Sequence, residues 1–359
     1  MKIIILVNRL TGGGAERVAA LWANGFSKRG HDVVIIINDD KSPHTYSLNS
    51  EIRIICVPIK KSRIGFVRVI NRIFKLRYVL TSEAPDIVID VMPSWKKLAA
   101  MIGLSFIRIA TEHNSFERPE NAEVKVNKFE KFYLNRLYDH VTVLTQADKD
   151  VVGSRLKNVT VMPNPLALEL ATTVPEKQNV VLAVGRLDAW YVKGFDILIK
   201  AWANIVDKAD GWKLQIVGGG KDKSLILLRK LCNELHVEDT VVFTGFKSNI
   251  KPIFQNASIF VLSSRYEGFG LVLIEAMSQG CACIACDYKG RQREIITNVM
   301  EGEICQPDDA NLLASKITLL INDESRRRRI QENSIRKASD FSVENIMEKW
   351  DKIFDNFKI

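Results

Sequence analysis

The sequence predicts an α/β protein made of two doubly wound parallel sheets, and three observations carry that prediction. Short continuous apolar runs alternate with helix-length segments along the chain. Two of those runs, residues 2–8 and 179–184, each lead into a glycine loop and then a helical pattern. Between the halves, Pro163-Asn164-Pro165-Leu166 through Lys177 lacks periodicity and reads as a linker, and 359 residues is an ordinary length for two domains.

In the first half, the strand at 2–8 precedes Thr11-Gly12-Gly13-Gly14-Ala15-Glu16 and a helix to about residue 28. Position 17 is Arg rather than Gly and no Walker lysine follows, so neither a dinucleotide cofactor nor ATP is favoured. Strands are predicted at 32–37, 52–57, 86–90, 106–110 and 140–144. Thr111-Glu112-His113-Asn114-Ser115 then follows a strand at its carboxyl end, where open α/β sheets place ligand residues. His113 and Asn114 are therefore candidates.

No acidic residue stands between Glu51 and Glu83, whereas Arg53, Lys60, Lys61, Arg63, Arg68, Arg72, Lys75 and Arg77 are basic. With Arg68, Arg72 and Lys75 on one helical face, and Phe66, Val69, Ile70, Ile73, Phe74 and Val79 supplying apolar area, residues 60–80 predict a basic amphipathic helix suited to anionic lipid. Aromatic residues do not alternate with the basic ones as a stacking platform requires, so nucleic acid is not an expected partner.

In the second half, the strand at 179–184 runs into Gly185-Arg186-Leu187-Asp188 and Lys193-Gly194-Phe195-Asp196, with a helix to about residue 206. Arg186 forks onto phosphate oxygens and Lys193 adds a compact charge, a pair suited to a diphosphate. The strand at 213–217 ends in Gly218, and the run at 241–246 ends in Gly245 and Phe246. The buried run 257–262 leads through Ser263-Ser264-Arg265-Tyr266-Glu267-Gly268-Phe269-Gly270 into a helix over 271–277. Gly268 and Gly270 permit close backbone approach, and the first amides of the helix from Leu271 suit phosphate. A carboxylate at Glu267 belongs there only if it faces neutral hydroxyls, and Glu275, about two turns on, is placed to reach a second polyhydroxyl group.

The apolar alternation of Cys281-Ala282-Cys283-Ile284-Ala285-Cys286 fits a buried strand better than a metal site, and six cysteines suggest a reducing compartment. Near Met1 only Ile3 to Val7 is continuously apolar, too short for a signal-peptide core, and the longest later run, Leu98 to Ile107, is too short to span a bilayer, so a cytoplasmic location is expected. The net charge of +9 is uneven: residues 1–170 hold 25 Lys and Arg against 17 Asp and Glu. An anionic partner therefore meets the first half. Helices are predicted over 307–321, 324–338 and 343–357, the four arginines at 326–329 forming a solvated face.

Glu267-Gly268-Phe269-Gly270 with Glu275 and Ala276-Met277-Ser278-Gln279-Gly280 resembles the two-glutamate signature of retaining GT-B glycosyltransferases, in particular glycosyltransferase family 4. Gly13-Gly14-Ala15-Glu16, Glu112-His113-Asn114, and Gly185-Arg186-Leu187 with Lys193-Gly194 match further family motifs in family order. The resemblance implies two Rossmann-like domains facing across a cleft. Residues 1–165 with a crossover helix at 343–359 would bind the acceptor, and 166–342 the nucleotide sugar.

It further implies catalytic roles for His113, Arg186, Lys193 and Glu267. Donor binding would fall to Gly13, Gly14, Glu16, Asn114, Gly185, Gly218, Gly245, Phe246, Gly268, Phe269, Gly270, Leu271 and Glu275. No metal or other cofactor is expected. The implied reaction moves a hexose or N-acetylhexosamine from a nucleotide diphosphate sugar, by preference a UDP-sugar, to a lipid-linked or oligosaccharide acceptor at the inner-membrane surface. Gly290-Arg291-Gln292-Arg293-Glu294 departs from the family pattern, with Arg291 where relatives carry Pro, which bears on the donor sugar.

Two other readings share this fold: a GDP-mannose-dependent mannosyltransferase and a non-catalytic sugar-nucleotide or polyanion binder. An NAD-dependent epimerase needs a dinucleotide fingerprint and a Tyr-x-x-x-Lys pair, and Tyr133 followed by Arg136 does not supply one.

Overall fold

The apolar runs form two all-parallel sheets in the computed structural model, which describes residues 1–38, 46–58, 65–119 and 125–357. The chain divides into unit 1, Met1–Ala167 with Ser342–Ile359, and unit 2, Leu168–Phe341.

Unit 1 contains β1 (Lys2–Leu6), β2 (Asp32–Ile37), β3 (Arg53–Cys56), β4 (Ile87–Val91), β5 (Ile107–Glu112), β6 (His140–Val143) and β7 (Val159–Val161), in the order β3-β2-β1-β4-β5-β6-β7. Helices α1 (Gly14–Lys28), α2 (Gly65–Glu83), α3 (Trp95–Met101), α4 (Lys128–Phe132) and α5 (Gln146–Val152) follow β1, β3, β4, β5 and β6. Ile3, Ile4, Ile5, Val34, Ile35, Val88 and Ile89 are fully buried, as strands covered on both faces require. The C-terminal helix Val343–Asp355 packs on α1, with Trp350 edge-on to Trp22 at 5.1 Å and to Phe26 at 5.7 Å. Gly25 makes room for it, since a Cβ there would lie 2.5 Å from the sulfur of Met347.

Unit 2 contains β8 (Gln178–Val184), β9 (Lys213–Val217), β10 (Val241–Phe243), β11 (Ala257–Leu262), β12 (Ala282–Cys286) and β13 (Glu303–Cys305), in the order β10-β9-β8-β11-β12-β13. Its helices are α6 (Trp190–Lys193), α7 (Phe195–Ala203), α8 (Asp222–Glu234), α9 (Lys251–Asn256), α10 (Leu271–Ser278), α11 (Ala310–Asn322) and α12 (Glu324–Ala338). Cys281, Cys283 and Cys286 are buried in or beside β12, where apolar surroundings push their thiols up, that of Cys281 to about 11.

Several expectations change. β5 runs on through Glu112 rather than ending at residue 110, so Glu112 is a buried strand residue. The arginine run is only partly a solvated face. Arg326 pairs at 2.5 Å with Glu303, itself 1% exposed, and Arg327 donates to the carbonyls of Leu320 and Ile321 at the end of α11.

The basic helix begins at Gly65, and Lys60, Lys61 and Arg63 lie outside the described residues. Of the basic residues in this stretch, Arg53, on β3, is bidentate on Glu83 and Arg77 donates to the carbonyl of Ile102, and on the predicted face burial lowers the pKa of Arg72. No helix among the described residues is long and apolar enough to cross a membrane.

Burial pulls the imidazoles of His113, just after β5, and His140, on β6, down to about 4. Between that value and the ordinary ~6.5, the unfolded chain binds more protons than the folded one, so stability is lost as pH falls through this window. Each histidine contributes a slope of up to ~1.4 kcal/mol per pH unit. In urea titrations between pH 6.5 and 4.5, His140→Gln should flatten the pH dependence of the midpoint. Equal slopes for the variant and the parent would contradict the assignment.

Candidate active site

In unit 2 the strand order reverses between β8 and β11, and the segments leaving these neighbouring strands carry Gly185, Arg186 and Lys193 on one side and Glu267, Gly268, Phe269 and Gly270 on the other. Gly194 closes α6 with φ 64°, and a Cβ there would lie 2.0 Å from the carbonyl oxygen of Ser263, so only glycine lets the two segments meet. The hydroxyl of Ser263 donates to the Lys193 carbonyl at 2.8 Å, and the Arg265 amide donates to the Val192 carbonyl at 2.9 Å. This lacing brings Lys193 Nζ to 2.5 Å from Glu267 Oε1, which also accepts from Ser264 Oγ at 2.7 Å. Arg265 holds the turn from below, bidentate on Asp196 at 2.7 and 2.8 Å and 3.9 Å above the ring of Tyr191.

Gly185, Gly218 and Gly245 form one backbone floor. The Gly185 amide donates to Val217 O and the Gly218 amide to Gly245 O, while a Cβ on residue 218 would lie 1.7 Å from Gly185 O. Arg186 stands exposed at the end of β8, and the ring of Phe246 is 75% exposed. Gly270, with φ 101°, precedes α10, whose first amides at Leu271 and Val272 come before the bond from Leu273 N to Gly270 O. The ring of Phe269 is buried against Phe341 at 5.6 Å, which leaves only its backbone to face a ligand. Glu275, on α10, is 2% exposed.

In unit 1, Gly13 precedes α1, and the carboxylate of Glu16 folds back over it. A Cβ on residue 13 would lie 1.8 Å from Glu16 Oε2, and Arg9 Nε lies 3.5 Å from Oε1. The helix start already explains Glu16, since an acidic side chain in the first turn opposes the helix dipole. His113 rests 5.3 Å from Trp22, and its Nε2 lies 3.3 Å from Thr111 Oγ1. Burial keeps the ring neutral, opposed slightly by Asn164 and aided by the charges of Lys131 and Lys97.

Met92, Glu112, Asn114, Arg118, Glu130 and Lys131 line a recess of about 200 Å³ that takes in the residues before and after His113 in sequence. Sequence reading gave no role to Lys131, Arg265 or Asp196, whose partners lie 19 and 69 positions away in the chain. No local pattern marks them, because each pairing joins segments remote in the chain. Among the described residues, no three His, Cys, Asp or Glu side chains converge as a metal site.

Comparison with known proteins agrees with this architecture. Residues 12–170 match the model described as Glycosyltransferase Family 4, and residues 170–337 match Glycosyl transferases group 1. The amylovoran biosynthesis glycosyltransferase AmsD of Erwinia amylovora is 30% identical over 99% of both chains. A Campylobacter jejuni α-1,4-N-acetyl-D-galactosaminyltransferase, whose name places its acceptor on diphosphoundecaprenol, is 27% identical over 100% of this chain and 99% of its own.

Among solved structures, sucrose-phosphate synthase of Thermosynechococcus elongatus superposes with TM-score 0.82 at 20% identity, covering 99% of this chain and 98% of that one. Anabaena HepE in complex with UDP and glucose superposes with TM-score 0.80 at 20% identity, covering 99% of each. The chain belongs to glycosyltransferase family 4 and is a glycosyltransferase of GT-B fold.

Proposed function

We propose that this glycosyltransferase moves a hexose or N-acetylhexosamine from a UDP-sugar to a lipid-linked saccharide with retention of anomeric configuration. The observation that carries the reading is the Lys193–Glu267 pair, seated between the two central strand ends of unit 2 and next to exposed Arg186. A cation bonded to a carboxylate at a strand-end glycine loop suits a ligand that is anionic on one side and hydroxylated on the other. The C. jejuni relative's name supports a lipid-linked acceptor, and the HepE complex supports UDP.

In this reading residues 166–342 bind the nucleotide sugar and residues 1–165 with 343–359 bind the acceptor. Arg186, Lys193 and the first amides of α10 neutralise the departing diphosphate without a metal. Glu267 holds sugar hydroxyls, Glu275 the ribose, and a leaving phosphate oxygen takes the acceptor proton. His113, neutral at physiological pH, belongs to the reacting centre as an uncharged hydrogen-bonding group.

The acceptor's lipid end meets α2. Phe66, Phe74 and Tyr78 are 73%, 65% and 74% exposed on this helix, alongside Arg68 and Lys75, an arrangement that fits anionic headgroups on the cytoplasmic face of the inner membrane.

Glu275→Ala should weaken UDP binding by about 1.5–3 kcal/mol, seen by calorimetry as a loss of roughly ten- to a hundred-fold in affinity. Unchanged UDP affinity would remove the ribose role. Arg186→Ala should depress kcat more than it raises the donor KM, because its charge acts mainly on the leaving group. A change confined to KM would assign Arg186 to ground-state binding alone.

A further inference from the structure

We infer that Lys131 is a positioning residue for transfer, its ammonium fixing the strand-end peptide that carries His113. The inference rests on the reading of His113 as part of the reacting centre. Lys131 Nζ donates to Glu112 Oε2 at 2.8 Å and to the carbonyl of Asn114 at 2.6 Å, so one cation ties the residues on both sides of His113. Glu112 Oε1 accepts from Asn135 Nδ2 at 2.7 Å, which engages the second carboxylate oxygen, and the ammonium also lies 4.3 Å above the ring of Phe116.

Lys131 and Glu112 are 9% and 8% exposed. An ion pair this enclosed is a poor source of stability, because desolvating both charges offsets their attraction. What it supplies is direction, and the direction it sets is that of the Glu112-His113-Asn114 peptide. On β5 itself, Thr111 Oγ1 lies 3.3 Å from His113 Nε2 and 3.3 Å from the Asp90 carbonyl of the neighbouring strand β4, which ties the same peptide to that strand. Asp90 is itself fixed by Lys97 Nζ at 2.7 Å and Tyr138 OH at 2.6 Å. Glu112, Asn114 and Lys131 also line the recess of about 200 Å³, so a shift of the clamp moves its wall.

Two readouts test the inference. The first is UDP release from UDP-N-acetylglucosamine by the full chain, and the second is the His113 ring resonance in 13C-histidine-labelled protein, assigned by its loss in His113→Gln. Lys131→Met should slow release at least tenfold, leave UDP affinity within twofold and move the His113 resonance, and Lys131→Arg should restore most of each. Because Lys131→Met leaves a buried carboxylate without its cation, which costs stability, the double variant Glu112→Gln/Lys131→Met, which removes both charges, is measured with it. The double variant should melt near the parent and still show the shifted resonance and slow release. A double variant with parental melting and a parental His113 resonance overturns the inference. Parental release by His113→Gln would instead overturn the reading of His113 on which it rests, whereas slow release by His113→Gln with fast release by the Lys131 variants would overturn the role of Lys131 alone.

Discussion

The backbone crossing of Gly194 over Ser263 governs the chemistry of unit 2. Because residue 194 lacks a Cβ and adopts a left-handed conformation, the end of α6 lies directly on the strand-end segment after β11. Two hydrogen bonds lock that crossing, from Ser263 Oγ to Lys193 O and from Arg265 N to Val192 O. Lys193 and Glu267, 74 positions apart in sequence, meet as a consequence. These two charges are thus placed by packing of main chain, with the Arg265–Asp196 fork bracing the turn beneath them.

Unit 1 solves the same problem with buried charge in place of glycine. The Glu112-His113-Asn114 peptide leaves the sheet between two enclosed cations, Lys97 on Asp90 and Lys131 on Glu112. Trp22 covers the imidazole, and Trp350 of the C-terminal helix covers Trp22. The last helix of the chain therefore supports, through two aromatic rings, a histidine more than two hundred positions before it. Such packing holds the ring dry, which is why its proton is lost well below physiological pH.

Much of this was legible in the sequence because its signals are local. The strands at 32–37, 213–217 and 257–262 stand where their apolar runs end, and the helix at 324–338 has the predicted bounds. Three-residue edge strands such as β7 and β13 are too short for periodicity to report. Lys131 drew no role from the sequence, because nothing within its own helix shows that Glu112 lies opposite. Arg291 stood out as a departure from the family pattern, but only packing shows it 0% exposed, its guanidinium 5.4 Å from the ring of Tyr288. Phe269, read as a donor contact, serves as a buried anchor for the loop.

The account turns on unit 2 holding a uridine diphosphate sugar at the Lys193–Glu267 loop. Thermal stabilisation of the purified protein by UDP, GDP, ADP and NAD tests this most directly, since a ligand that binds only the folded state raises its melting temperature. The account predicts a rise with UDP that exceeds those with GDP and ADP, and no rise with NAD. A rise with NAD alone, or with none of the four, would contradict it.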